Sequence, residues 1–114
     1  NAASAAHCAN DQKMFWQYHS TLYNNWDGEG TGWASSEQLH QFASTLGLDM
    51  DKFSECMSKS KWKELVDSSH ADGRTLGVDA TPTFFIIDQN NKVLKIIGAQ
   101  RYDVFQEVFD SLLE

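Results

Sequence analysis

Long apolar runs are missing from this sequence. No stretch approaches the ~20 apolar residues that span a bilayer, so no membrane-spanning helix is expected. Basic residues are scarce: nine Lys and Arg stand against sixteen Asp and Glu, for a net charge of −7. Such a balance repels phosphate backbones and leaves no basic patch, which argues against nucleic acid as a partner. Proline occurs once, at Pro82, and cysteine twice, at Cys8 and Cys56. The two cysteines form neither a C-x-x-C pair nor a zinc cluster. His7, His19, His40 and His70 are scattered without the i, i+4 spacing of a helical metal site, so neither a metal nor a cofactor is expected. No signal peptide is recognisable at the amino end. A start at Asn1 without Met fits a processed form, a fragment or a trimmed piece.

What is present describes one ordinary globular domain. The chain has 114 residues, 41% of them apolar and 22% charged, and those proportions exclude disordered, collagenous and low-complexity classes. Residues 3–24 read as helical, and Cys8, Phe15, His19, Leu22 and, just beyond, Trp26 form a stripe widened by Trp16 and Tyr23. The steps of three, four and seven predict one long helix with an aromatic core face. Gly28, Gly30 and Gly32 then mark a loop, flanked by Trp26 and Trp33 as its anchors. Ser35-Ser36-Glu37-Gln38 matches a capping box with Ser35 as N-cap, opening a helix that Gly47 ends. A short helix begins at Asp49, and another spans 61–76 with Trp62, Leu65, Val66, Ser69, Gly73 and Leu76 on one face. Gly73 on that face suggests close backbone approach, and Gly77 suits the position just past the helix end.

After Thr81 the texture changes. Thr83-Phe84-Phe85-Ile86-Ile87 and Val93-Leu94-Lys95-Ile96-Ile97 are β-prone runs joined by Asp88-Gln89-Asn90-Asn91, which predicts a hairpin. A last helix covers 102–113, with Tyr102, Phe105, Val108, Phe109 and Leu112 in register. The expected order is four helices, a hairpin and one helix. The first strand is apolar on both faces, the mark of a central strand covered on each side. Such a strand needs neighbours on both edges, and only one is encoded here. A lone hairpin is marginal and a long apolar open edge is an aggregation template. Part of the sheet is therefore expected from sequence before Asn1, from another chain or from a second copy.

Three segments carry a family resemblance. Ala6-His7-Cys8-Ala9-Asn10-Asp11-Gln12-Lys13-Met14-Phe15-Trp16-Gln17-Tyr18-His19 resembles the first inserted helix of DsbA-like thiol–disulfide oxidoreductases. Gly77-Val78-Asp79-Ala80-Thr81-Pro82-Thr83-Phe84-Phe85-Ile86 resembles that family's cis-proline segment, and Gly98-Ala99-Gln100-Arg101-Tyr102-Asp103-Val104-Phe105 its closing loop and helix. Leu46-Gly47-Leu48-Asp49 between them is also typical. The resemblance implies an incomplete thioredoxin-like α/β (α+β) fold. Residues 1–77 would be the helical insertion and 78–114 the C-terminal β-β-α part. It also implies thiol–disulfide exchange on protein substrates, in a periplasmic or other extracytoplasmic setting. The family's C-x-x-C helix has no counterpart in these residues, so the chain by itself is expected to be inactive.

What the resemblance carries over is Thr81 and Pro82, with a cis bond between them facing the substrate backbone. Arg101 stands where the family often has proline. For Cys8 and Cys56 three readings are open: a structural disulfide, two separate buried thiols, or a reactive Cys8 near a helix N-terminus. The alternative function, from a different class, is a redox-inactive binding or dimerisation module that uses the open sheet edge.

Overall fold

The computed structural model describes residues 1–114. It divides into two compact units, Asn1–Ser69 and His70–Glu114. The elements in order are α1 (Ala2–Asn10), α2 (Phe15–Asn24), α3 (Ser36–Thr45), α4 (Met50–Ser58), α5 (Lys63–Thr75), β1 (Thr83–Ile87), β2 (Val93–Ile97) and α6 (Tyr102–Leu113). The unit boundary falls inside α5.

In the first unit, α1 packs against α2, α3 and α4, and α3 packs against α2 and α4. Ala5, Ala6 and Ala9 give α1 a buried face of small side chains, which lets its neighbours approach closely. The core around them contains Tyr18, Leu22, Leu39, Ala43, Leu48 and Phe53, together with Cys8 and Cys56. Ser35 Oγ accepts from Gln38 N–H at 3.3 Å. Only that half of the expected capping box is formed, because Ser35 N–H donates to the Gly32 carbonyl instead. Asp49 caps α4 by accepting from Lys52 N–H at 3.1 Å.

The single helix expected over 3–24 is two helices. Lys13 takes a left-handed φ of 61°. Met14 N–H donates to Ala9 C=O at 3.0 Å and Lys13 N–H to Asn10 C=O at 2.9 Å. Those paired bonds are a Schellman ending built on lysine rather than glycine, so no glycine marks the break. The expected break between the helix at Asp49 and the helix over 61–76 has a similar ending, with Ser60 at φ 51° and a Lys61 N–H to Cys56 C=O bond of 3.2 Å. The break turns α2 relative to the expected stripe. Tyr18 is fully buried, while Trp16, Tyr23 and Trp26 are 70%, 74% and 61% exposed. Of the two tryptophans flanking the glycine loop, Trp33 packs on the core and Trp26 does not.

In the second unit β1 and β2 form a two-stranded antiparallel sheet, with Thr83 opposite Ile97 and Ile87 opposite Val93. Asp88 shapes the turn: its carboxylate accepts from Asn90 N–H and Lys92 N–H, each at 2.8 Å. Phe84 and Ile86 share a face with Ile96 and Leu94, and the Phe84 ring meets Phe105 of α6 edge-on at 5.1 Å. Arg101 caps no backbone group of α6 but pairs with Asp103, Nη2 to Oδ2 at 2.6 Å. Of the stripe expected on α6, Tyr102 is 81% exposed. No residue of α5 is buried, contrary to the buried face expected there. A Cβ on Gly73 would meet nothing nearer than Val78 at 4.0 Å, so no close approach requires that glycine.

Candidate functional site

Thr81 and Pro82 lie exposed in the bend that leads into β1, and the peptide bond between them is cis. Their position is held from three sides. Gly98 N–H donates to the Pro82 carbonyl at 2.7 Å, continuing the β1–β2 ladder by one pair. The Thr83 hydroxyl donates to the Ala80 carbonyl at 2.5 Å. Upstream, Lys95 Nζ donates to the Gly77 carbonyl at 2.9 Å and lies 5.9 Å from the centre of the Phe85 ring. Lys95, which ties β2 to the segment before the bend, is a residue that sequence reasoning passed over. Its signal was a lone ammonium inside the apolar run Val93-Leu94-Lys95-Ile96-Ile97.

The edge of β1 away from β2 is open. In an antiparallel pair, residues alternate between those bonded to the partner strand and those whose N–H and C=O point outward. The Gly98–Pro82 and Asp88–Lys92 bonds place Pro82, Phe84, Ile86 and Asp88 in the first class. Thr83, Phe85 and Ile87 therefore present their backbone groups along the free edge. Thr81, next in the alternation, makes no backbone hydrogen bond within the chain. The free edge and the exposed bend form one continuous strand-like surface. The side chains beside it are apolar and poorly covered: Phe85 is 38% exposed, Ile87 63% and Val93 54%.

Cys8 and Cys56 lie in the other unit and are joined as a disulfide with Cα atoms 5.9 Å apart. The helix break corrects the setting expected for Cys8: it occupies the last turn of α1, not the first, and Cys56 likewise occupies the last turn of α4. A concavity of about 460 Å³ opens on the disulfide. Asp11 lines it, with Lys61 Nζ at 2.9 Å and Trp62 Nε1 at 3.1 Å from its Oδ2. Cys56 Sγ lies 3.6 Å from the same oxygen. A bridged sulfur carries no hydrogen, so this is a contact and not a hydrogen bond. A second cleft of about 470 Å³ is lined by His7, Phe15, His19, Tyr23, Trp26 and Trp33 among others, with no carboxylate or amine. No group of three or more His, Cys, Asp or Glu is arranged to hold a metal ion, and no helix is long and apolar enough to cross a membrane.

Comparison with known proteins shows the family. The DSBA-like thioredoxin domain family matches residues 1–110. A curated relative, the Na(+)/H(+) antiporter NhaA 1 of Salinispora arenicola (strain CNS-205), is 34% identical over 86 residues. That match takes in 75% of this chain and only 12% of the relative's length. No solved structure matches. With the family match running nearly end to end, the chain belongs to the DSBA-like thioredoxin domain family.

Proposed function

We propose that these residues are the helical insertion (1–77) and the C-terminal β-β-α part (78–114) of a thiol–disulfide oxidoreductase acting on protein substrates outside the cytoplasm. Thr81 and Pro82 are the substrate-facing wall. The redox C-x-x-C, which these 114 residues do not contain, comes from another segment, and that segment also pairs with the free edge of β1. The open edge carries this reading. A strand with apolar side chains on both faces and outward-pointing N–H and C=O groups on Thr83, Phe85 and Ile87 is built to be covered and paired.

The family match supports chemistry of the thiol–disulfide type. In such exchange a thiolate attacks a disulfide sulfur and a mixed disulfide forms. The part assigned to this chain is positional. The unbonded N–H and C=O of Thr81 pair with an extended substrate segment by strand addition, and Lys95 and Gly98 hold that bend in place. No residue here acts as nucleophile, since neither cysteine is free.

The test is direct. The 114-residue chain, mixed with a reduced protein substrate in a glutathione buffer whose oxidised form accepts the electrons, leaves the rate of correct disulfide formation unchanged. The same chain joined to a C-x-x-C-bearing segment raises it. Catalysis by the 114 residues alone that disappears in Cys8→Ser overturns the assignment.

A second reading draws on the same edge: a redox-inactive module that homodimerises, or captures an extended peptide, through β1. Light scattering after size exclusion separates the two. A dimer that Ile87→Lys dissociates supports the module, and a monomer at all concentrations rules out pairing between copies.

A further inference from the structure

We propose that Asp11 insulates the Cys8–Cys56 disulfide from thiol–disulfide exchange. This is independent of the function proposed above. The disulfide is not sealed off: Cys56 is 9% exposed and borders the concavity, so a small thiol can reach it. Reduction would run in two balanced steps. A thiolate RS⁻ attacks Cys56 Sγ, the S–S bond breaks and its electron pair leaves on Cys8, which takes a proton from water. A second RS⁻ then displaces Cys56 from the mixed disulfide, releasing RSSR, so two thiols are oxidised for one disulfide reduced.

Two features oppose the first step. The Asp11 carboxylate, 3.6 Å from the sulfur under attack, repels the incoming anion and raises the free energy of every thiolate formed there. Both sulfurs also sit in the last turns of their helices, where the dipole is negative. Reactive cysteines occupy the opposite end, at helix N-termini.

The charged side chains around the disulfide are Asp11 after α1, Lys52, Glu55 and Lys59 on α4, Lys61 before α5, and Lys63 and Asp67 on α5, the last two lining a second opening that also borders both cysteines. Lysines outnumber carboxylates here, four to three, and Lys63 is paired with Asp67. Coulomb energy falls with distance, so the charge in contact with sulfur outweighs those farther off. Lys59 is in addition engaged by Glu55 at 2.5 Å, and Lys61 by Asp11 itself at 2.9 Å. Lys61 therefore moderates the carboxylate without replacing it.

The experiment follows reduction of the folded chain by two thiols of different charge, anionic 2-mercaptoethanesulfonate and cationic cysteamine. Asp11→Asn speeds reduction by the anionic thiol about tenfold, the equivalent of roughly one pK unit. It speeds reduction by cysteamine much less. Lys61→Gln breaks the same ion pair but keeps the carboxylate, and it slows the anionic thiol. A carboxylate acting only as a clasp between α1 and the start of α5 would give the opposite pattern, with both variants faster and both thiols affected alike. That result overturns the proposal, as does an Asp11→Asn variant reduced at the parent rate.

Discussion

Gln12 and Asp49 are joined by a reciprocal pair of hydrogen bonds across 37 residues of sequence. Gln12 Nε2 donates to the Asp49 carbonyl at 3.0 Å, and Asp49 N–H donates to Gln12 Oε1 at 2.8 Å. The turn between α1 and α2 is thus tied to the first residue of the α4 cap. Gln12→Ala removes both bonds and is expected to cost about 1–2 kcal/mol, since each is worth ~1 kcal/mol net. Urea unfolding of parent and variant measures it, and an unchanged midpoint refutes it.

Tyr18 is fully buried and donates its hydroxyl to the Leu39 carbonyl at 2.7 Å. Tyr18→Phe keeps the ring and loses about 1 kcal/mol, whereas Tyr18→Ala also opens a cavity and loses about 3–5 kcal/mol. Burial pushes the phenol's pKa up. In the unfolded chain the group ionises near the usual value of ~10 while the folded chain keeps its proton. The associated stability is therefore whole below pH ~10 and falls as pH rises beyond it. Denaturant titrations at pH 8 and above 10 should show the parent losing more stability than Tyr18→Phe; equal losses would contradict this.

The Cys8–Cys56 bridge spans 48 residues and ties α1 to α4. In the chain-entropy account a loop of that length is worth about 4 kcal/mol. The double variant Cys8→Ala, Cys56→Ala should lose most of that in denaturant unfolding. A loss below about 1 kcal/mol would show that packing of the alanine face of α1 suffices without the cross-link.

Hydrogen exchange reads the free edge directly. Amides of Phe84 and Ile86 face β2, and those of Thr83, Phe85 and Ile87 face outward. The first pair should exchange at least about tenfold more slowly than the other three. When a segment docks on the edge, Phe85 and Ile87 should become protected as well. Uniform protection along β1 in the chain alone would mean the edge is already covered.

Local chemistry was readable where a few neighbouring residues hold all the bonds an element needs. Ser35 and Gln38, Asp49 and Lys52, and the Asp88 turn each close within four residues. The α3 N-cap, the start of α4 and the hairpin turn followed from such sets. The fold class and the family resemblance were legible for the same reason.

Tertiary structure decided the rest. Nothing local distinguishes Lys13 from an ordinary helical residue, and it becomes a helix end only because the fold holds it at positive φ. Tyr18 is buried in place of Trp16 and Tyr23 because the break after Asn10 rotates α2. Which of three fates the cysteines met depended on two helix C-termini arriving within 5.9 Å. Sequence pattern reports bonds that close within a turn or two. Bonds spanning 37 or 48 residues exist only once the helices have packed.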